Sequence, residues 1–223
     1  MTMRIGLFGG TFNPIHFGHL RAALEIHEGF SLDSCYLIPS AIPPHKSPDG
    51  IIDAQSRLEM VRLAASNTPG FAVSDIEINR SGPSYTIDTV RRFKSMTGKD
   101  TTLFFIVGLD AFLEIDTWNS CMELFRQISF IVMTRPGAGC EAFQSKNVML
   151  EAFLKEKISG AYRYSASRSC FVHPEMHRVF GFEVSSLDIS STRIRKQIRN
   201  GKSIQFLVPE KVRAYIKARG LYT

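Results

Sequence analysis

Residues 6–20 read GLFGGTFNPIHFGHL, and this stretch decides how the chain begins to fold. The apolar run that leads into it, at residues 3–8, is typical of a buried strand. Two glycines follow directly and let the backbone turn with little steric hindrance. His16 and His19 come next, three residues apart, where we expect a helix to begin. The stretch therefore predicts a strand, a tight turn and a helix that starts close to the first histidine.

The same succession of strand and helix continues along the chain. Apolar runs such as CYLIPS, TLFFIVG and SFIVMTR alternate with amphipathic segments such as DAQSRLEMVRLAASN, YTIDTVRRFKSM and NSCMELFRQ. FAVSDIEI and FGFEV are also predicted as strands. The segment 138–175 has no firm assignment, apart from a helix predicted in SKNVMLEAFLKEKI. Strict alternation indicates parallel strands joined by right-handed crossovers, so we predict an α/β fold with an open, doubly wound parallel sheet.

Two short basic helices, in SSTRIRKQIRNG and PEKVRAYIKARG, close the chain. Each of these helices ends in glycine, as helices commonly do. We predict one domain over 1–188 and a C-terminal helical cap over 189–223. Residues 191–223 carry nine Lys or Arg and one Glu, a net charge of +8, which leaves −2 for the first 190 residues of a chain with net charge +6. Such a segment attracts nucleic acid or a phosphorylated ligand, or forms a solvated helix face. Charge alone does not decide among these three.

Composition argues against several classes of protein. With 223 residues, of which 44% are hydrophobic, the chain can bury a substantial core. Its N-terminal sequence lacks the pattern of a signal peptide, and no apolar run is long enough to span a bilayer. The four cysteines are scattered without a CxxC pair, which argues against a zinc knuckle or a disulfide framework. We therefore expect a cytoplasmic protein with reduced thiols and no membrane partner.

The turn after the first strand is a candidate phosphate-binding site. Ligands of parallel sheets bind beyond the carboxyl ends of the strands, and the first amides of the following helix lack helical partners. The spelling GLFGGT matches neither the Walker loop nor G-x-G-x-x-G. His16 and His19 share a face at the helix start and can donate to phosphate oxygens. A zinc site built on H-x-x-H needs a third ligand of suitable spacing, and the sequence offers none.

GGTFNPIHFGHL at residues 9–20, together with ISSTRIR at 189–195, closely resembles the signature pair of nucleotidyltransferases with an HxGH motif. The resemblance is specifically to bacterial nicotinate mononucleotide adenylyltransferases. Further similar segments are IPSAIPPHK, SYTIDTV, FIVGLDAFLEIDTW, TRPG and LVPEKVRAYIKARGLY. Only residues 138–175 lack a counterpart. The resemblance implies a Rossmann-like nucleotidyltransferase domain whose C-terminal basic helical subdomain carries ISSTRIR.

The resemblance also implies which residues bind ATP. Catalytic roles would fall to His16, His19 and Arg195, which stabilise charge on the transferred group. Gly108 and Asp110 would lie beside the nucleotide sugars, although a strand-to-helix turn with a capping Asp explains them equally well. Ser or Thr in ISSTRIR is expected to cap a helix whose free amides bind phosphate. The residues that the resemblance assigns to ATP are Gly9, Gly10, Thr11, Phe12, His16, His19, Gly108, Asp110, Ser191, Thr192 and Arg195.

For the acceptor, the resemblance places a pyridine ring against Trp118 and its carboxylate near the backbone amides of Thr86 and Trp118. Trp118 is the only tryptophan, and without the resemblance it would be interpreted as core packing. His45 and Lys46 would lie where the mononucleotide approaches. The implied acceptor-binding residues are His45, Lys46, Thr86, Asp110 and Trp118.

The implied reaction is in-line attack of the acceptor phosphate on the α-phosphorus of ATP, giving deamido-NAD and pyrophosphate without a protein nucleophile. Mg2+ is the expected cofactor, held through the ATP phosphates and not by a protein metal site. The expected acceptor is nicotinate mononucleotide, with nicotinamide mononucleotide or another phosphorylated acceptor such as phosphopantetheine as the alternative. Nucleic-acid binding is not expected, because few aromatic residues interleave with the cations of the basic tail. A homo-oligomer is compatible with the sequence.

One residue departs from the family pattern. Asn13 stands where the family often has Asp. Either residue can cap or hydrogen-bond locally in the turn before Pro14, so we expect the difference to have little effect.

Overall fold

The computed structural model describes residues 2–43, 50–98, 100–134 and 143–223. Within these ranges the chain forms eight strands and eight α-helices. The strands are β1 (Met3–Gly10), β2 (Ser34–Pro39), β3 (Phe71–Val73), β4 (Thr101–Gly108), β5 (Ser129–Thr134), β6 (Arg163–Ser165), β7 (Cys170–Val172) and β8 (Val179–Glu183). The helices are α1 (Phe17–Gly29), α2 (Ala54–Ala65), α3 (Thr86–Met96), α4 (Leu109–Phe112), α5 (Cys121–Gln127), α6 (Phe143–Phe153), α7 (Ser191–Arg199) and α8 (Glu210–Ala218).

The strands form one sheet in the order β3-β2-β1-β4-β5-β8-β7-β6. β2 pairs with β3, β4 with β5 and β5 with β8, each time in parallel. The strand order runs outward from β1 and β4 in both directions, which is the arrangement of a doubly wound sheet. The predicted α/β fold with an open, doubly wound sheet is therefore confirmed.

The strict parallel alternation that the sequence predicts does not extend to the last two strands of the sheet. β7 pairs antiparallel with β8, and β6 antiparallel with β7. Both strands lie in the segment 138–175, which the sequence left without an assignment. They are three residues long, and the turn between them contains Ser169 at φ 49° where a glycine or asparagine is usual. Short strands without the usual turn residues leave no clear signal in the sequence.

The strand predicted in FAVSDIEI is shorter than expected. Only Phe71–Val73 pairs with β2, and the chain then leaves the sheet. The helix predicted in SKNVMLEAFLKEKI is present as α6, which continues into a π-helical turn at Leu154–Ile158. The alternation of apolar residues thus overestimated the length of this strand, which ends opposite Leu37 although β2 continues to Pro39.

The chain divides into two compact units. The first unit combines Met1–Leu7 with Tyr85–Ser185, and the second unit combines Phe8–Ser84 with Ser186–Thr223. Helices α7 and α8, predicted as a separate cap over 189–223, lie in the second unit. The domain boundary at residue 188 stays a prediction.

The core of the first unit is aromatic. Phe112 lies with its ring centroid 6.1 Å from that of Phe125 and 5.8 Å from that of Phe130, and the last two rings are 4.7 Å apart. All three side chains are fully buried. β4 and β5 are buried along most of their length, as expected of strands whose apolar runs are nearly continuous.

The core of the second unit is mainly aliphatic. Helix α1 buries Ala22, Ala23 and Ile26, and helix α8 buries Val212 and Ile216. The spacing of three and four residues puts these side chains on one face of each helix. Helix α2 contacts α8. None of the helices in the described ranges is long and apolar enough to cross a membrane.

Candidate active site

The loop after β1 turns through a residue in the left-handed region. Phe12 has φ 46°, and its buried ring lies edge-on to the rings of Phe8 at 5.7 Å and His19 at 5.2 Å. A Cβ at Gly10 would come within 2.9 Å of the Phe12 ring, so only glycine leaves room for that ring. The predicted tight turn is present, and Gly10 serves to admit an aromatic side chain as well as to ease the turn.

The two histidines stack on each other at the start of α1. Their ring centroids are 3.7 Å apart and the ring planes differ by 22°. His16 is the N-cap, with an extended backbone at φ −148°, and the helix begins one residue later. A Cβ at Gly18 would lie 3.1 Å from the His16 ring, so this glycine allows the helix to start close to the imidazole. Gly18 was not among the residues predicted for the site.

The histidines are not equally accessible, in contrast to the expectation that both face a ligand. His16 is 2% exposed, whereas His19 is half-buried. The backbone N–H of His16 donates to Nδ1 of His19 over 3.3 Å. Because Nδ1 accepts this bond, a neutral His19 ring carries its proton on Nε2. His19 is therefore held as the tautomer in which Nε2 can donate to an anion.

Helix α7 is capped by a serine of the ISSTRIR motif, as predicted from the sequence. The side chain of Ser190, and not that of Ser191 or Thr192, accepts from the backbone N–H of Arg193 over 3.2 Å. Ser191 instead donates its hydroxyl to the carbonyl of Pro14 over 2.8 Å. Three adjacent hydroxyl residues can each cap a helix, and the choice depends on where the chain enters it.

Arg195 ties α7 to the loop after β1. Its Nη1 donates to the carbonyl of Asn13 over 2.8 Å, and its Nη2 donates to the hydroxyl of Thr192 over 3.3 Å. Its Nε is buried and has no hydrogen-bond partner among the described residues. The second unit thus brings together nine residues predicted from two motifs: Gly9, Gly10, Thr11, Phe12, His16, His19, Ser191, Thr192 and Arg195.

Asn13 acts over a long range, which corrects the expectation of a local role. Its amide nitrogen donates to the carbonyl of Gly50 over 2.8 Å. Its oxygen accepts from the hydroxyl of Tyr222 over 2.9 Å and from the N–H of Ile52 over 3.4 Å. An Asp at this position could accept from both groups but could not donate to Gly50. Burial raises the pKa of the Tyr222 hydroxyl, so this group stays a donor at neutral pH.

Arg57 was not among the residues predicted for the site, and its side chain is 1% exposed in helix α2. Its three guanidinium nitrogens donate to carbonyls of Thr11, Ala41 and Ile52. Arg57 occupies the same face of α2 as the buried Val61, four residues on. A charged residue on an otherwise apolar helix stripe was the signal that could have revealed it.

The first unit holds the remaining predicted residues that are described. Gly108 ends β4 and is the N-cap of α4, and a Cβ there would lie 2.6 Å from Oδ1 of Asp110. Asp110 is exposed and does not cap the helix, in contrast to the structural alternative considered from the sequence. Thr86 is the first residue of α3. His45 and Lys46 lie outside the described residues.

Trp118 is half-buried, with its ring centroid 6.1 Å from that of Phe105 in an edge-on contact. Its backbone N–H donates to the carbonyl of Ile115 and so closes a 3-10 turn. This amide is therefore used within the turn, and an acceptor carboxylate held by backbone amides near Thr86 and Trp118 stays a prediction. The aromatic face remains the feature of Trp118 that can serve a ligand.

No group of three or more His, Cys, Asp or Glu side chains within the described ranges is placed to hold a metal ion. The stacked His16 and His19 thus have no third ligand among these residues. The arrangement offers phosphate donors: an imidazole N–H, a guanidinium and the starts of two helices.

Comparisons with known proteins agree with this chemistry. The cytidylyltransferase-like family model matches residues 7–197. A protein of Desulfatibacillum aliphaticivorans, named a probable nicotinate-nucleotide adenylyltransferase, is 46% identical over 99% of this chain and 100% of its own. Another of that name, from Geobacter metallireducens, is 41% identical over 99% of both chains.

Solved structures show the same fold. The nicotinic acid mononucleotide adenylyltransferase of Plasmodium falciparum, complexed with NaAD, superposes with a TM-score of 0.73 at 19% identity, over 99% of this chain and 97% of that one. The same enzyme complexed with APC gives 0.71 at 18% identity, over 99% and 97%. The chain belongs to the cytidylyltransferase-like family and, within it, to the nicotinate-nucleotide adenylyltransferases.

Proposed function

We propose that this protein transfers the AMP moiety of ATP to nicotinate mononucleotide, giving deamido-NAD and pyrophosphate. The observation that carries the proposal is the joining of two distant motifs at one loop. Arg195 donates to the carbonyl of Asn13 and Ser191 to that of Pro14, each over 2.8 Å. This arrangement supports a site for a triphosphate, and the names of the relatives support the acceptor.

The residues of the second unit would stabilise charge on the phosphates of ATP. His19 would donate from Nε2, because its Nδ1 accepts from the backbone. The guanidinium of Arg195 would add its positive charge beside the same loop. Amides at the starts of α1 and α7 would add further donors. In-line attack by the acceptor phosphate then needs positioning and charge stabilisation, and no protein nucleophile.

His16 would act indirectly, by orienting the ring of His19. Its ring is stacked on that of His19 and almost fully buried, so it would orient His19 more than it contacts phosphate in this conformation. Mg2+ would arrive with ATP, held by phosphate oxygens, and when bound it neutralises their charge.

The acceptor would bind through residues of the first unit. Trp118 would pack against the pyridine ring, and amides of the first turn of α3, at Thr86, would hold its carboxylate. Gly108 and Asp110 would contact the sugars. A carboxylate held by N–H donors is favoured over a carboxamide, which presents donors of its own.

The test is an assay of the purified protein with ATP, Mg2+ and either nicotinate or nicotinamide mononucleotide. Chromatography measures deamido-NAD and NAD, and a coupled assay measures pyrophosphate. We expect kcat/KM to be at least about 10-fold higher with the nicotinate substrate, which equals about 1.4 kcal/mol of differential binding. A preference for the amide would overturn the choice of acceptor. Absence of pyrophosphate with both acceptors would overturn adenylyl transfer itself.

A further inference from the structure

Arg57 makes three hydrogen bonds to backbone carbonyls that lie far apart in sequence. Nη1 donates to Thr11 over 2.8 Å, Nη2 to Ala41 over 3.0 Å and Nε to Ile52 over 3.1 Å. Thr11 belongs to the loop after β1, Ala41 follows β2, and Ile52 precedes α2. One guanidinium therefore holds three chain segments of the second unit.

This arrangement is unfavourable as a packing solution. Within the described ranges no carboxylate forms an ion pair with Arg57, although its side chain is 1% exposed. Burial lowers the pKa of the guanidinium, which reflects the loss of hydration of its charge. The charges of Asp53 and Glu77 offset part of this loss of hydration without pairing directly with the guanidinium, and an apolar residue would match the neighbouring Val61. The guanidinium is therefore better explained by the geometry of the carbonyls that it holds.

The bond to Thr11 has a direct consequence for the next residue. Carbonyl and N–H of one trans peptide point in opposite directions across a rigid plane. The peptide between Thr11 and Phe12 is trans. When Arg57 holds the Thr11 carbonyl, it also directs the Phe12 N–H to the opposite side of the loop.

We propose that Arg57 is a positioning residue, which holds the Phe12 N–H in the orientation that binds a phosphate of ATP. This inference rests on the proposed adenylyl transfer and adds a residue that neither motif contains. Arg57 acts through the peptide of Thr11 and does not itself contact the nucleotide. Its other two bonds keep the Ala41 and Ile52 carbonyls at fixed places around the same side chain.

The test compares Arg57→Met and Arg57→Lys with Arg62→Met. Arg62 lies in the same helix, is 49% exposed and pairs with Asp75, so its removal is the matched control. We expect Arg57→Met to lower kcat/KM for ATP about 100-fold, because a displacement of about 1 Å costs that much. Arg57→Lys keeps the charge but cannot reach three carbonyls, so it should fall between Arg57→Met and wild type. The control should stay at wild-type values.

Calorimetry with pyrophosphate and with adenosine separates positioning from general damage to the fold. We expect Arg57→Met to bind pyrophosphate about 10-fold more weakly than wild type, because about one hydrogen bond to a charged group is lost. Its affinity for adenosine should equal that of wild type. Equal weakening of both ligands, or wild-type values for both, overturns the proposal. So does failure of both Arg57 variants to fold, which would assign the residue to folding alone.

The same measurements distinguish this proposal from the proposed function. If wild type forms no deamido-NAD but binds pyrophosphate, the reaction is wrong, and the pyrophosphate affinities of the variants still decide the role of Arg57. If wild type forms deamido-NAD and Arg57→Met does so at an equal rate, the reaction stands and Arg57 has no positioning role.

Discussion

The two units hold their candidate site residues by different means. In the second unit, Arg195 and Tyr222 both bind Asn13, across separations of 182 and 209 positions in the sequence. In the first unit, Trp118 is held by a 3-10 turn that reaches back only to Ile115 and by packing of its ring. Arg195 and Tyr222 thus act through long-range hydrogen bonds, whereas the backbone bond of Trp118 is local.

The difference follows from what each set would bind. Donors that stabilise charge on phosphate must be oriented before the reaction, and long-range bonds to the loop backbone supply this orientation. An aromatic ring is recognised chiefly by shape and apolar contact, which a local turn can provide. Variants in the second unit should therefore affect turnover, and those at Trp118 should affect binding of the acceptor.

The largest effect is expected from His19→Ala. It removes the imidazole that would donate from Nε2, and loss of one such donor lowers kcat about 100- to 1000-fold. His19 also accepts from the His16 N–H, so the free energy of unfolding should fall by only about 1 kcal/mol. Steady-state kinetics and thermal melting measure the two effects. His27→Ala in the same helix is the control, and wild-type turnover in His19→Ala would remove His19 from the mechanism.

A smaller loss is expected from Arg195→Met. The variant loses the bond to Asn13 and the buried Nε, and hydrogen bonds of charged groups contribute about 1.5 to 3 kcal/mol. We expect kcat/KM for ATP to fall about 10- to 100-fold. Arg193→Met is the matched control, because Arg193 is 59% exposed and, among the described residues, pairs with the exposed Asp188. Equal kinetics in the two variants would show that long-range bonding does not orient the phosphate site.

Trp118→Ala tests whether the tryptophan of the first unit binds the acceptor. We expect KM for nicotinate mononucleotide to rise about 10-fold, which corresponds to the loss of an aromatic contact of about 1.4 kcal/mol. KM for ATP should stay the same. Trp118→Phe should retain most of the binding. If both KM values rise together, Trp118 serves core packing, which is how a single tryptophan would be interpreted without the family resemblance.

The smallest effect is expected from Tyr222→Phe. The variant loses a buried hydrogen bond to Asn13 but keeps the ring, and Asn13 still accepts from Ile52. The free energy of unfolding should fall by about 1 kcal/mol, and the melting temperature by about 2 to 4 °C. Tyr215→Phe is the control. A drop in kcat/KM for ATP as large as that of Arg195→Met would show that the whole network, and not Arg195 alone, orients the loop.

Much of the fold was predictable, because apolar runs and helix periodicity act within a few residues. The glycines, the start of α1 and the parallel strands followed from such local patterns. β6 and β7 did not, because three-residue strands with Ser169 in the turn carry no sequence signal. Of the candidate site, the motif residues were predicted, but Arg57 and the long-range role of Asn13 were not.

By itself, the sequence determined the strand, turn and helix at residues 6–20, the family and the residue types that can bind phosphate. Only the tertiary structure decided that His16 is buried behind His19, that Ser190 caps α7 and that Arg57 holds the Thr11 carbonyl. The physical reason is the range of the interactions. Backbone preferences and caps depend on neighbours in sequence, whereas a buried hydrogen bond between distant residues exists only once the whole chain has placed both partners.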